Sequence, residues 1–359
     1  MTAVSNTFAT TSTPVGNREE ISDIVNRITP EDTPLYSMMP KGTCNSIFPE
    51  WEIDELGDPQ VNAKLEGDTF DFAAISKPAR VGNAAQIFRR DFIISKTQDA
   101  VSNVGSVEQT KYQTLKKGVE MRKDVELALL LNTATVKAES GSIARKFGSL
   151  QTWLETNTDR QPNYDGNDDS DLLDAEDITG GADGGFDPTD SMTNVVTEAS
   201  GQRALTKSHI DGVMQSIYQQ GGSCKTLMLS HYAKRVFSTF TADDNVAQQR
   251  YAAPQSGQTT IIGAADMYLS DFGMISVVPN RVMGLGADSA AKSTTSRNAY
   301  LLDPGLLEFK WLRPMARVNN LANLSDATPF ALIGEGTLCV KNEAGLGVVA
   351  DIYGQSATS

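Results

Sequence analysis

The stretch Ser106–Asn132, SVEQTKYQTLKKGVEMRKDVELALLLN, organises the rest of the chain. Ser106 followed three residues later by Gln109 is a capping box, in which each side chain can satisfy one orphan amide of a helix start. Val107, Leu115 and Val119 recur at helical spacing, and Val125, Ala128 and Leu129 continue the stripe. A helix of this length would run roughly 40 Å at 1.5 Å per residue. Lys111, Lys116, Lys117, Arg122 and Lys123 make its first half basic. Leu127 to Leu131 are apolar all round, so that end is expected to be buried on every side. Gly118 costs about 1 kcal/mol against Ala in mid-helix. It fits a close approach by another backbone, or one tolerated glycine in a long core helix.

With 359 residues the chain can bury a sizeable core in two or three units. The formal net charge of −14 argues against a protein that grips nucleic-acid phosphates through basic stripes. It leaves open one that only surrounds nucleic acid. No apolar run approaches the roughly 18 residues of a membrane span, and no membrane partner is expected. The opening MTAVSNTFATTSTPVGN lacks a basic flank and an apolar core, so it reads as an extended Ser/Thr-rich arm rather than a signal peptide. Cys44, Cys224 and Cys339 are far apart and form no CxxC, which points to a reduced compartment without disulfides or structural zinc.

Ile21, Ile24, Val25 and Ile28 fit one helical face that Pro30 ends, and a short Leu35–Met39 element follows. Residues 47–95 read as two strands, FPEWEIDEL and ARVGNAAQIFRRDFIIS, joined by a polar stretch punctuated by Gly and Pro. The first is acidic and the second basic. Their apolar content is thin, so this is either a long hairpin needing another surface or an ordinary sheet edge. Between Arg160 and Arg203 there is no Lys or Arg, as in a surface insertion. A compact α/β unit follows. Thr206 starts a helix with Ile210, Val213, Met214 and Ile217 on one face, and Gly221–Gly222 stops it. Lys225–Leu229 is a strand, and Ser230 caps a helix carrying Ala233, Val236, Phe237 and Phe240. A polar loop runs to about Thr260. Strand pairs are expected for Met267–Leu269 with Met274–Val278, and for Ala299–Leu302 with Leu306–Leu312 around Asp303-Pro304-Gly305. Phe330–Val340 and Leu346–Ile352 close the chain as strands.

Motifs for chemistry are sparse. His209 and His231 lack ligand-like neighbours in sequence, and no GxSxG, HExxH or Walker A loop occurs. Gly284-Leu285-Gly286 lacks a βαβ context, and Asp271-Phe272-Gly273 reads as a hairpin turn. Asp165, Asn167, Asp169, Asp171 and Glu176 match positions 1, 3, 5, 7 and 12 of a calcium EF-hand loop. Ser170 replaces the required glycine and neither flank reads as a helix, which favours a solvated acidic loop. No catalytic, cofactor-binding or metal-binding residues are therefore assigned, and no cofactor is expected.

An ordered series of short blocks resembles the major capsid proteins of tailed double-stranded DNA bacteriophages. Gly16–Asp23 leading to Ile28–Leu35 resembles their N-terminal signature. Glu66-Gly67-Asp68, Arg80–Asn83, Gln86-Ile87, Ser95–Gln98, Arg122–Glu126, and Gly148–Leu150 with Trp153-Leu154 resemble the next blocks. Ser270–Gly273, Val278–Arg281, Leu302–Pro304, Leu312–Pro314, Lys341–Ala344 and Val349–Asp351 follow in order. Each block alone is weak; their order from residue 16 to 351 is specific. The acidic stretch Gln161 to about Gln202 departs from the pattern by its length.

The resemblance implies an α+β fold of the tailed-phage capsid (Johnson) type. In its terms residues 1–45 are an N-terminal arm, 46–95 an extended E-loop hairpin, and 96–160 a peripheral domain with spine helix 106–132. Residues 161–204 are the acidic insertion, 205–318 an axial domain, and 319–359 return to the peripheral domain. It implies a non-enzymatic protein that assembles into hexamers and pentamers of an icosahedral head around double-stranded DNA, without sequence-specific binding. Partners would be copies of itself, with scaffold, portal and decoration proteins as further candidates. The location would be the virion, after assembly in the host cytoplasm. Acidity suits a wall from which DNA must be released. Subunit contacts are expected where acidic Glu50, Glu52 and Asp54 meet Lys116, Lys117 and Lys123 of a neighbour. The eleven carboxylates from Asp165 through Glu198 are expected on the outer face. A cellular nanocompartment shell of the same fold, and a hydrolase built on the α/β unit, are the alternatives.

Overall fold

A computed structural model describes residues 29, 31–101 (apart from 58, 71, 73, 74 and 76), 109–160, 184–197, 202–240, 266–285, 294–318, 321–322 and 326–352. The helix expected before Pro30, the EF-hand-like run 165–176 and the polar loop after Thr241 lie outside these residues.

Two sheets carry the fold. A four-stranded sheet has the order β1 (Lys41–Thr43), β12 (Leu307–Arg317), β13 (Ala327–Val340), β4 (Gln86–Ser95). Beside it runs α3 (Gln109–Leu130), and the Arg90 guanidinium donates to both carboxylate oxygens of Asp124 on that helix, each at 2.5 Å. A six-stranded sheet has the order β5 (Thr158–Asp159), β14 (Gly347–Val349), β11 (Ala299–Leu302), β8 (Thr226–Ser230), β10 (Gly273–Asn280), β9 (Met267–Ser270). On one face Leu227, Leu229, Ile275 and Val277 pack under α5 (Lys207–Gln219) and α6 (His231–Thr239). On the other, Met228, Tyr300, Leu302 and Val348 join the core beneath α3. A strand buried on both faces reads as a continuous apolar run, as TLMLS does at Thr226–Ser230.

The α/β reading from Thr206 onward matches in its elements. Ile210, Val213, Met214 and Ile217 are all buried, and Ser230 Oγ accepts from the Ala233 amide at 3.3 Å. Thr206 occupies the N-cap of α5 without a side-chain cap bond. Met274 pairs with Leu269 as expected. The second expected pair does not form. Ala299–Leu302 hydrogen-bonds in the six-stranded sheet and Leu307–Arg317 in the four-stranded one, so Asp303-Pro304-Gly305 carries the chain between sheets. Burial explains it: every residue of β11 is buried, whereas β12 begins in strict alternation with one face half-solvated. Of the closing strands, β13 stays in the four-stranded sheet while β14 returns to the six-stranded one.

The run ARVGNAAQIFRRDFIIS also divides. Glu50–Ile53 (β2) pairs with Ala79–Gly82 (β3), and the chain then leaves the hairpin so that β4 pairs with β13 over ten residues. The break is Asn83, which is wholly buried. Its Oδ1 accepts from Gly148 N at 2.7 Å, Ala84 N at 3.0 Å and Thr135 Oγ1 at 3.0 Å, and its Nδ2 donates to Leu338 O at 2.8 Å. A polar side chain bonded this completely fixes the backbone around it.

The capping box and Val107 lie outside the described residues apart from Gln109. Leu115 is 74% exposed rather than in the core stripe. Leu129 and Leu130 are buried, but Leu127 and Ala128 are only half-buried. A Cβ at Gly118 would meet nothing within 4 Å, so among the described residues no other backbone passes there. The insertion is not wholly a surface loop either. Phe186 of β6 (Phe186–Asp187) stacks on Trp153 with ring centroids 5.6 Å apart, and Val196 is buried.

Glu126 joins the parts. Its side chain is wholly buried among apolar neighbours of α3. Its Oε1 accepts from Leu35 N at 2.9 Å and Asn280 Nδ2 at 2.6 Å, and its Oε2 from Tyr36 N at 2.6 Å. Leu35 and Tyr36 open α1 (Pro34–Met38), whose own N-cap, Thr33, makes no side-chain cap bond. Glu126 thus caps α1 from 90 residues away while holding Asn280 at the end of β10. Burial pushes its carboxyl up, and the bonds from Tyr36, Leu35 and Asn280 oppose that shift. A second charged centre lies beside β5. Asp159 accepts from Arg203 Nη1 at 2.6 Å and lies 2.9 Å from His209 Nδ1. Burial acts to raise the Asp159 carboxyl, but the His209 bond and the Arg203 charge overcome it and hold the group below its ordinary 3.8.

Glu126→Ala strands three donors, two of them buried and one partly so, at about 1–3 kcal/mol for each buried one. We expect the unassembled variant to lose at least about 3 kcal/mol in urea denaturation; a loss below about 1 kcal/mol would show that the cap contributes little. A depressed carboxyl contributes stability that is present above its unfolded value and lost as pH falls through its folded one. Stability should therefore decline below about pH 4, and Asp159→Asn should flatten that decline in thermal scans taken across this range.

Candidate assembly surface

The hairpin of β2 and β3 is fixed at its root. Trp51 Nε1 donates to Val340 O at 2.8 Å, and the Trp51 ring stacks on Trp153 at 5.5 Å. With Phe186 beyond Trp153, three rings form one pile. Beyond Ile53 the chain has no such support. Leu56, Val61, Leu65, Phe70, Phe72 and Ile75 are each 84–100% exposed. Burying one such side chain is worth about 1.5–3 kcal/mol, so six of them in water mark a contact surface rather than scatter. Phe70 and Phe72 lie 6.4 Å apart.

The charged residues expected at subunit contacts fall into two groups. Glu50 is paired with Arg80 across the hairpin, and Lys117 with Glu120 at 2.7 Å on α3. Burial acts to raise the Glu120 carboxyl, and the Lys117 bond, with Arg90 and Lys116 nearby, brings it below its ordinary value. Glu52 and Asp54 are exposed, and Asp54 Oδ1 accepts from Glu55 N at 3.0 Å. Lys116 and Lys123 are half-buried. Among the described residues no ion pair links the three acids to the three lysines within one chain.

The solvent side of α3 is turned slightly from those lysines. Lys111, Leu115 and Arg122 are exposed, and with Gly118 they follow the 4-3-4 spacing of one helical face. This basic stripe with a leucine and a bare glycine at its centre can receive an acidic, partly apolar strand. Sequence reasoning missed the hairpin tip because its apolar residues are interleaved with polar ones and make no periodic pattern. Phe70, Phe72 and Ile75 between charged residues were the available signal.

Little else offers chemistry. Among the described residues no group of three His, Cys, Asp or Glu could hold a metal ion. No described helix is long and apolar enough to cross a membrane. The three cysteines are free. Burial raises the thiols of Cys44 and Cys339, and pushes that of Cys224 up to about 11, which disfavours the reactive thiolate.

The fold is that of solved phage-type capsids. The chain is similar to the capsid of a native GTA particle, with TM-score 0.55 at 10% identity over 94% of this chain and 96% of that one. It resembles a solved chain of Gordonia phage Cozz, with TM-score 0.53 at 10% identity over 93% of this chain and 91% of that one. It also resembles the capsid of cyanophage P-SCSP1u, with TM-score 0.52 at 10% identity over 97% and 96%. In sequence, 120 residues are 29% identical to the major capsid protein of Escherichia phage Phieco32, covering 33% of this chain and 34% of that relative. The match thus spans about a third of the curated relative's length. A family model described as SU10 major capsid protein matches residues 4–353. With nearly its whole length matched and the α+β capsid fold in place, the chain belongs to the SU10 major capsid protein family.

Proposed function

We propose that the protein is the structural shell subunit of a phage head. It assembles into hexamers and pentamers of an icosahedral capsid around double-stranded DNA and carries out no catalysis. In this reading it resides in the virion after assembly in the host cytoplasm. Scaffold, portal and decoration proteins meet it there, but its principal partner is another copy of itself. The bare apolar tip on a firmly anchored hairpin carries this reading. A monomeric enzyme gains nothing from six exposed large apolar side chains, whereas a shell subunit covers them with its neighbours.

In the terms of the fold, the hairpin from residue 46 serves as the E-loop and α3 as the spine helix of a peripheral domain, with the six-stranded sheet and its two helices as the axial part. The acidic stem, Glu50, Glu52 and Asp54, lies along the basic side of a neighbour's α3 near Lys116, Lys117 and Lys123. Each exposed pair contributes only about 0–1 kcal/mol. Repetition around every capsomer multiplies that amount.

Because Glu50 and Lys117 already have partners within the chain, Glu52, Asp54, Lys116 and Lys123 give the cleaner test. Glu52→Lys with Asp54→Lys should reduce particle yield at low salt. Adding Lys116→Glu and Lys123→Glu to the same chain should restore it, as followed by sedimentation and electron microscopy. Undiminished assembly of the first variant, or no rescue by the second pair, contradicts the stem contact.

A further inference from the structure

Residues 184–197, inside the acidic insertion, lie against the body of the molecule. Gly185 N donates to Thr152 O at 2.8 Å. A Cβ at Gly184 would come within 2.9 Å of the carbonyl oxygens of Gln151, Thr152 and Leu154, so this backbone rests directly on α4 (Leu150–Trp153). Asn132, just past α3, holds the other end. Its Nδ2 donates to Val196 O at 2.7 Å and its Oδ1 accepts from Val196 N at 3.1 Å.

Two chains of contact run from this segment to the root of the β2–β3 hairpin. The first is aromatic. Phe186 lies nearly parallel to Trp153, at 8° and 5.6 Å, and Trp153 stacks on Trp51 of β2. The second is a relay of hydroxyls. Thr193 of β7 (Met192–Thr193) is buried, and its Oγ1 accepts from Thr135 N at 3.0 Å and lies 3.2 Å from Thr135 Oγ1. Thr135 Oγ1 donates at 3.0 Å to Oδ1 of Asn83, the residue that follows β3. Its proton is committed there, so the Thr193 hydroxyl donates to Thr135. One chain thus ends on β2 and the other at the end of β3.

The same two residues are also held by β13. Trp51 donates to Val340 O and Asn83 to Leu338 O, two points roughly 7 Å apart along one strand. Two points define a line about which the hairpin can still tilt. Trp153 and Thr135 bear on the root away from that line, and the insertion segment backs both of them. We infer that residues 184–197 are a brace that sets the direction in which the hairpin leaves the body, with Phe186 and Thr193 as its positioning residues. The inference rests on the reading that the hairpin meets other copies, and adds what aims it. Each strand of the stem has only four residues, so a change of angle at Trp51 and Asn83 is carried outward through 54–78. The insertion, read from its charge as a surface appendage, is by this inference part of the assembly apparatus.

Spin-label distances in the unassembled protein test this without a shell. Nitroxides at Ala79→Cys on β3 and Leu115→Cys on α3, both exposed positions, in a Cys44→Ser background report the hairpin's angle to the helix. The expected result is one narrow distance distribution. Phe186→Ala and, separately, Thr193→Val should broaden and shift it. Phe186→Tyr, which keeps the ring, should leave it as in the parent. Val213→Ala truncates the core under α5 and serves as the control, lowering the melting temperature without moving the distribution. If Phe186→Ala does not fold, Thr193→Val decides, because it keeps the side-chain volume. A distribution unchanged in the folded variants, or moved equally by Val213→Ala, overturns the brace. Particle yield judges the underlying reading separately. A displaced hairpin with reduced yield supports both, whereas a displaced hairpin with undiminished yield upholds the brace and contradicts the hairpin's role in joining copies.

Discussion

Glu126 is the constraint on which the rest depends. One carboxylate, buried on α3, satisfies two backbone amides of α1 and the side-chain amide of Asn280. A buried charge is tolerated only where donors surround it, and these donors come from two stretches of chain far from it in sequence, α1 and the end of β10. The position of the helix is therefore tied to those of α1 and the end of β10. Asn83 does the same at the hairpin root, binding Gly148, Thr135 and β13 at once. Both centres exchange hydrophobic gain for a unique geometry, which suits a subunit that must present the same surface at every position of a shell.

That rigidity ends abruptly. The hairpin is clamped at Trp51 and bare from Leu56 outward, and α3 is buried at its C-terminal end while Leu115 and Gly118 face solvent. Solvation alone does not favour such an arrangement. It makes sense when the free energy withheld from folding is released on association, because a hairpin already packed on its own chain has nothing left to give a neighbour. The family to which the chain belongs makes copies of itself the natural recipients.

Much of this was legible in the amino-acid sequence. The helix pattern from Val119 to Leu129 and the α/β elements after Thr206 follow from periodicity and capping residues. What was not legible depends on contacts distant in sequence. Ala299–Leu302 and Leu306–Leu312 look like a hairpin locally, yet β11 is drawn between β14 and β8 because every one of its side chains is apolar enough for burial on both faces. Glu126 in an otherwise charged helix segment gives no local sign that it is buried. At the assembly surface, the acidic stem and basic helix could be read from charge alone.

In the proposed shell, folding is completed at Glu126 and Asn83 within one chain, and the hairpin and the outer stripe of α3 are completed only by other copies. Amide hydrogen exchange on unassembled protein and on particles measures this directly. The amides of α1 and β4 should be protected in both states. Residues 54–78 and the outer face of α3 around Leu115 and Gly118 should gain protection only on assembly. Equal protection of the hairpin before and after assembly, or rapid exchange at 54–78 within intact particles, would contradict it.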